Sequence, residues 1–133
     1  MNNQFPLKVL ALEFDVSTHS IAPRVRSISP DNVLQDMYKI IGCSLVTCTQ
    51  IQIKGQYFDI WSDDEALFAD NIVPMLYIND DLVIFGNLIF AKTDEEGKLV
   101  GLTDSEILTL YHFACIQFPK IAGWIDKLKN EKG

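Results

Sequence analysis

The stretch LVIFGNLIFAKTDEEGKLVGLTDSEI, residues 82–107, constrains this chain more than any other. An apolar run, an acidic turn closed by a glycine, a short apolar return and a helix start follow one another without a spacer. The strongly apolar run over 82–92 predicts a strand, and the isolated Gly86 within it predicts a bulge or a close backbone approach. Thr103-Asp104-Ser105-Glu106 matches the capping box, in which the Thr103 and Glu106 side chains satisfy each other's backbone amides. A helix is therefore expected from there to about residue 118, with Ile107, Leu110, Tyr111, Ala114 and Phe118 as its apolar stripe and Pro119 ending it. All of this specifies architecture and none of it chemistry.

The remaining segments fit around that stretch. Residues 7–14, LKVLALEF, predict a first strand apolar enough to be covered on both faces, and residues 21–28 a weaker one broken by Pro23. Ser29-Pro30-Asp31-Asn32 predicts a helix start, with Val33, Leu34, Met37, Tyr38 and Ile41 recurring at helical spacing and Gly42 stopping it. The β-branched run SLVTCTQIQI, residues 44–53, turns at Lys54-Gly55 into QYFDIW, residues 56–61, a hairpin signature. A strand at 75–78, a turn at Asn79-Asp80-Asp81 and a pairing of 98–101 back onto the sheet complete the strands. Ile121, Trp124, Ile125 and Leu128, with lysines opposite, predict a second C-terminal helix over 120–131.

Length and charge set the boundaries of function. At 133 residues the chain fits one domain, 1–133, and 48% apolar with 22% charged residues is the composition of a folded globular protein. No apolar stretch reaches the roughly 20 residues that span a bilayer, and the start lacks a basic lead and a cleavage site, so a cytoplasmic protein with no membrane role is expected. Three cysteines, none in a C-x-x-C pair, suit free thiols. The net charge is −7, and residues 58–106 alone carry −10. Because cationic side chains supply most nucleic-acid affinity, direct DNA or RNA binding is not expected.

Three blocks, LQDMYKIIGCSLVTCTQI, the acidic SDDEALFADN and IFGNLIFAKTDEEGKLVGLTDSEI, together resemble a small family of proteins of unknown function carried by bacteriophages and integrative elements of bacteria. The resemblance covers residues 34–107. Ile41-Gly42 stands where that family has two glycines, and the acidic segment lacks its Glu-Gly-Lys, leaving Asp70-Asn71 as the match to the family's asparagine. The resemblance implies a mobile-element origin and an α+β fold, and it brings no established activity.

Candidate chemistry is sparse. Asp63, Asp64 and Glu65, with Asp70 and Asn71 beyond, offer oxygen ligands, but their spacing does not match a calcium loop, and a solvated acidic turn is the expectation. Neighbouring acids such as Asp94-Glu95 and Asp80-Asp81 point apart in turns and do not form an acid–base pair. His112 and Cys115 are too few for a metal site, and His112 is expected at the edge of the core. The sharpest ligand hypothesis joins Asn71, Gly86, Asn87 and Trp61: a glycine in a strand lets a ligand approach the backbone, an asparagine offers a donor and an acceptor, and Trp61 can line the pocket with Phe58 and Tyr57.

The expected fold is therefore α+β, a mostly antiparallel twisted sheet of five or six strands carrying a helix at 30–41 and two C-terminal helices. The expected function is a non-enzymatic binding or interaction module of a mobile element, acting on a host protein or a small molecule. Two alternatives stand beside it: an acidic mimic of DNA that occupies a basic host protein, and a small metal-assisted enzyme. No catalytic residue, metal site or cofactor is assigned. Exposed strand edges and the amphipathic C-terminal segment predict a homodimer.

Overall fold

The computed structural model describes residues 6–15, 17–18, 20–64, 74–79 and 82–115. Among these residues eight strands and two helices run in the order β1 (Leu7–Asp15), β2 (Ser20–Ile28), α1 (Val33–Ile41), β3 (Val46–Ile53), β4 (Gln56–Asp63), β5 (Pro74–Asn79), β6 (Leu82–Phe85), β7 (Leu88–Thr93), β8 (Leu99–Val100) and α2 (Asp104–Cys115). The main sheet has the order β2-β1-β7-β4-β3 with β8 attached to β7, and every pairing in it is antiparallel. β5 and β6 form a separate two-stranded antiparallel unit. The mostly antiparallel α+β fold is thus present. The second C-terminal helix expected at 120–131 lies outside the described residues.

Both faces of the sheet are covered, which explains the uninterrupted apolar runs in β1 and β7. Val9, Ala11, Ile28, Ile89 and Ala91 pack under Met37 and Ile41 of α1. Leu10, Leu12, Phe58, Ile60, Leu88 and Phe90 point the other way, packing with Leu110 and Ala114 of α2 and with Met75, Leu76 and Ile84 of the small hairpin. Strand side chains alternate between faces, so a strand covered on both must be apolar at every position. β7 lies centrally between β1 and β4, and Leu88, Ile89, Phe90 and Ala91 are all fully buried. β2 is the outer strand beside β1, and there Arg24, Val25, Arg26 and Ser27 are exposed.

Three local expectations are corrected. The run 82–92 is two strands, not one: Gly86 adopts φ 79°, a left-handed conformation that takes the chain out of β6 and into β7. The sequence reads as a single strand because both pieces are apolar. α1 begins at Val33 instead of Pro30, because residues 29–32 close as a turn in which the Asn32 amide donates to the Ser29 carbonyl at 3.1 Å, with Pro30 second in that turn. Asp36 then reaches back to accept from the Ser29 amide at 2.8 Å. On α2 the buried face is Glu106, Leu110 and Ala114, while Tyr111, expected in the apolar stripe, is 43% exposed.

The capping box forms as expected. The Thr103 amide donates to Glu106 Oε1 at 2.8 Å and the Glu106 amide donates to Thr103 Oγ1 at 3.1 Å. Lys92 on β7 adds a bond from Nζ to Glu106 Oε2 at 2.7 Å, tying the start of α2 to the central strand. The segment before it is held tightly too: the Leu102 amide donates to the Lys8 carbonyl at 2.9 Å, and a Cβ on Gly101 would lie 3.3 Å from the Lys8 nitrogen.

Candidate functional site

Of the four residues expected around a small ligand, three are described, and Asn71 lies outside the described residues. Gly86 and Asn87 form the passage from β6 to β7, and Asn87 Oδ1 accepts from the Phe14 amide at 2.8 Å. β1 pairs with β7 only as far as Leu12 opposite Leu88, so the Asn87 side chain supplies a partner to the β1 backbone just past the end of that ladder. Trp61 lies opposite Ile89 and belongs to the cluster under α1. Its Nε1 is buried and has no hydrogen-bond partner among the described residues. Phe58 points to the α2 face and Tyr57 is 58% exposed. Strand alternation therefore divides the expected aromatic lining between faces.

The titratable groups perform structural work. Asp59 is buried and accepts from Thr93 Oγ1 at 2.8 Å, joining β4 to β7. Glu13 is gripped by Arg26 through two nitrogens at 2.7 and 2.6 Å, with Arg24 at 3.7 Å. Burial by itself raises the Glu106 carboxyl, but the hydrogen bonds from Lys92 and Thr103 outweigh it and hold the group below its ordinary value. Burial of the sulfur, and then the charge of Asp59, pushes the Cys48 thiol up to about 11, although the residue as a whole is exposed. Burial, followed by the charge of Asp63, raises Cys43 as well. A thiol so shifted is a poor nucleophile near neutral pH. Among the described residues, no three His, Cys, Asp or Glu side chains gather as a metal site. His112 is corrected from the core edge to the surface, where its ring meets that of Tyr111 edge-on at 6.2 Å.

The most distinctive surface feature is a groove of about 570 Å³ between α2 and the outer strand β2. Leu10, Pro23 and Val25 form its sheet side, and Ile107, Leu108 and Tyr111 its helix side. Val25 is 54% exposed and Leu108 57%. At one end Lys8 Nζ and Asp104 Oδ1 stand 3.4 Å apart, giving the apolar floor a charged rim. The arrangement follows from strand parity: Leu10 and Val25 are directly opposed in the β1–β2 ladder, so both side chains face α2. The apolar stripe of α2 is wider than β1 and β7 can cover, and the excess lies over the sheet edge. In the sequence the helix side is visible only as Ile107 and Tyr111 in the apolar stripe expected for this helix.

A search against protein families matches residues 14–112 to a domain of unknown function, DUF3846. The chain belongs to the DUF3846 family. No curated protein and no solved structure matches it. The family match spans β2 through most of α2 and so includes Pro23, Val25, Ile107, Leu108 and Tyr111 of the groove, while Lys8 and Leu10 precede it. No helix among the described residues is long and apolar enough to cross a membrane.

Proposed function

We propose that this DUF3846 protein is a non-enzymatic interaction module, and that the groove between β2 and α2 receives the apolar face of a basic amphipathic helix from another protein. The single observation that carries this reading is the pairing of half-exposed Val25, Leu108 and Tyr111 around one apolar trough. Apolar side chains brought together at a surface mark interaction sites, whereas scattered ones do not. A trough with a helix for one wall suits a partner helix that anchors side chains at i, i+3, i+4 and i+7. A net charge of −7 favours a cationic partner, since complementary charge speeds encounter and disfavours acidic competitors. An accessory role in a phage or integrative element, acting on a host component, belongs to the same proposal and rests on the resemblance in residues 34–107.

The test uses a fluorescein-labelled Leu/Lys amphipathic helix of about 18 residues as probe, with a scrambled peptide of equal composition as control. Anisotropy is expected to report binding of the amphipathic probe, at least tenfold weaker for the scrambled one and for Val25→Asp and Leu108→Asp. Equal binding of both peptides, or no loss in the variants, overturns the reading.

One observation favours a second reading. The buried indole nitrogen of Trp61, without a hydrogen-bond partner among the described residues, supports a small ligand with a hydrogen-bond acceptor held beside Trp61. Native mass spectrometry of the purified protein, with Trp61 fluorescence read in a Trp124→Phe background, tests it; a ligand-free mass and unchanged fluorescence across a metabolite panel reject it. The DNA-mimic alternative has less support, because Glu13, Asp36, Asp59, Asp94 and Glu106 are engaged in bonds within the fold.

A further inference from the structure

The two outer strands of the main sheet differ in how they are protected. β2 carries Pro23 and the charged Arg24 and Arg26, devices that discourage another strand from adding to an edge. β3, VTCTQIQI, has no proline and no charge, and it pairs with β4 without a register break from Val46 opposite Asp63 to Ile53 opposite Gln56. Among the described residues β4 is its only strand partner.

The turn that joins these strands fixes which backbone groups are free. Lys54 and Gly55 have φ 52° and 80°, the positive values of a two-residue hairpin turn of the I′ kind. In such a hairpin the residues flanking the turn, Ile53 and Gln56, exchange hydrogen bonds, and bonded pairs then alternate along the ladder. Thr47, Thr49, Ile51 and Ile53 therefore direct their amides and carbonyls at β4. Val46, Cys48, Gln50 and Gln52 direct theirs away from it, to the side on which no strand pairs among the described residues.

We propose that β3 is a self-association edge, at which a second copy of this chain adds its own β3 antiparallel about a two-fold axis at Thr49. In that register Val46 exchanges bonds with Gln52 of the second copy, and Cys48 with its Gln50, so the four free positions of each strand are all used. Three features commit the edge to a second copy. The strand is uncharged, so self-pairing brings no like charges together. The Asp64 amide donates to the Leu45 carbonyl at 3.1 Å, placing exposed Asp64 at the start of β3 while Lys54 stands at its end, and antiparallel pairing brings each lysine to the other copy's aspartate. Leu45, 51% exposed, comes opposite the second copy's Ile53. The surface is isologous, as two-fold dimers require, and distinct from the groove on β2 and α2.

The experiment is light scattering with size-exclusion chromatography on the full chain, together with two variants. Wild type is expected at twice the 15.1 kDa chain mass. Gln50→Pro removes only an outward amide, as Pro23 does in β2, and is expected at the single-chain mass with an unchanged circular dichroism spectrum. Should proline unfold the hairpin, Gln50→Lys carries the same expectation. In a background with Cys43, Cys48 and Cys115 changed to serine, Thr49→Cys is expected to form an intermolecular disulfide on mild oxidation, because directly opposed non-bonded pairs approach to about 4.5 Å between Cα atoms. Gln52→Cys in the same background is expected not to. A wild-type chain at single mass throughout the concentration range, or a dimer that survives the Gln50 variants without a disulfide at position 49, overturns the proposal.

Discussion

Removal of the Glu106 carboxylate tests how α2 is fastened to the sheet. Glu106 is only 9% exposed; it accepts from the Thr103 amide at 2.8 Å and from Lys92 Nζ at 2.7 Å. Glu106→Ala abolishes half of the capping box, worth about 1 kcal/mol. It also removes a charge-assisted bond to Lys92, whose side chain is 36% exposed and able to rehydrate, which adds about 1 kcal/mol more. The expected loss is about 2 kcal/mol, a fall of about 6–10 °C in melting temperature for a domain of this size. Glu106→Gln retains an oxygen for Thr103 and is expected to lose about half as much. Because the folded carboxyl titrates below the ordinary value of 4.5, its stabilisation is fully present above that pH and disappears as pH falls through the lower folded value. Urea unfolding followed by circular dichroism at about pH 7 and about pH 3 measures both effects. A Glu106→Ala variant within 0.5 kcal/mol of wild type, or a wild-type-to-Gln gap equally large at acid pH, refutes the reasoning about the ion pair; the 0.5 is about the error of such comparisons.

Three further outcomes are expected. Asn87→Ala removes the side-chain acceptor of the Phe14 amide and is expected to lose about 1 kcal/mol in urea melts, whereas Asn87→Asp, which keeps an acceptor, should stay close to wild type at neutral pH. Gly101→Ala forces a Cβ to within 3.3 Å of the Lys8 backbone nitrogen, and a loss of about 1 kcal/mol is expected by the same assay, with no change in peptide binding at the groove. Cys48, with its thiol near 11, should alkylate slowly at neutral pH, with a rate that climbs steadily to above pH 10; a plateau below about pH 8 contradicts the assigned shift.

The parts of this fold that were legible in the sequence are those governed by local chemistry. The capping box at Thr103 and Glu106, the helix stop at Gly42, the Lys54-Gly55 hairpin and the return of Leu99–Val100 onto β7 each depend on residues close along the chain. Gly86 was read as an interruption within one strand because periodicity cannot register a change of sheet when both halves are apolar. The late start of α1 has a similar origin, since Ser29 and Pro30 suit a turn as well as a helix cap. The surface features were hidden for a different reason. Leu10, Val25 and Tyr111 are far apart in sequence, and only the antiparallel register of β1 with β2, and the passage of α2 over that edge, brings them together. Trp61 and Asn87, grouped by residue type, were separated by roles that depend on strand parity: one lies under α1 and the other supports the end of β1.

The central claim, that the protein acts through the apolar surface between β2 and α2, is tested most directly by methyl chemical-shift mapping during titration with the basic amphipathic probe. The largest shifts are predicted at Val25, Ile107 and Leu108, with Met37 and Ile41 of α1 unaffected. Shifts spread evenly over the molecule, or concentrated on the α1 face, contradict it.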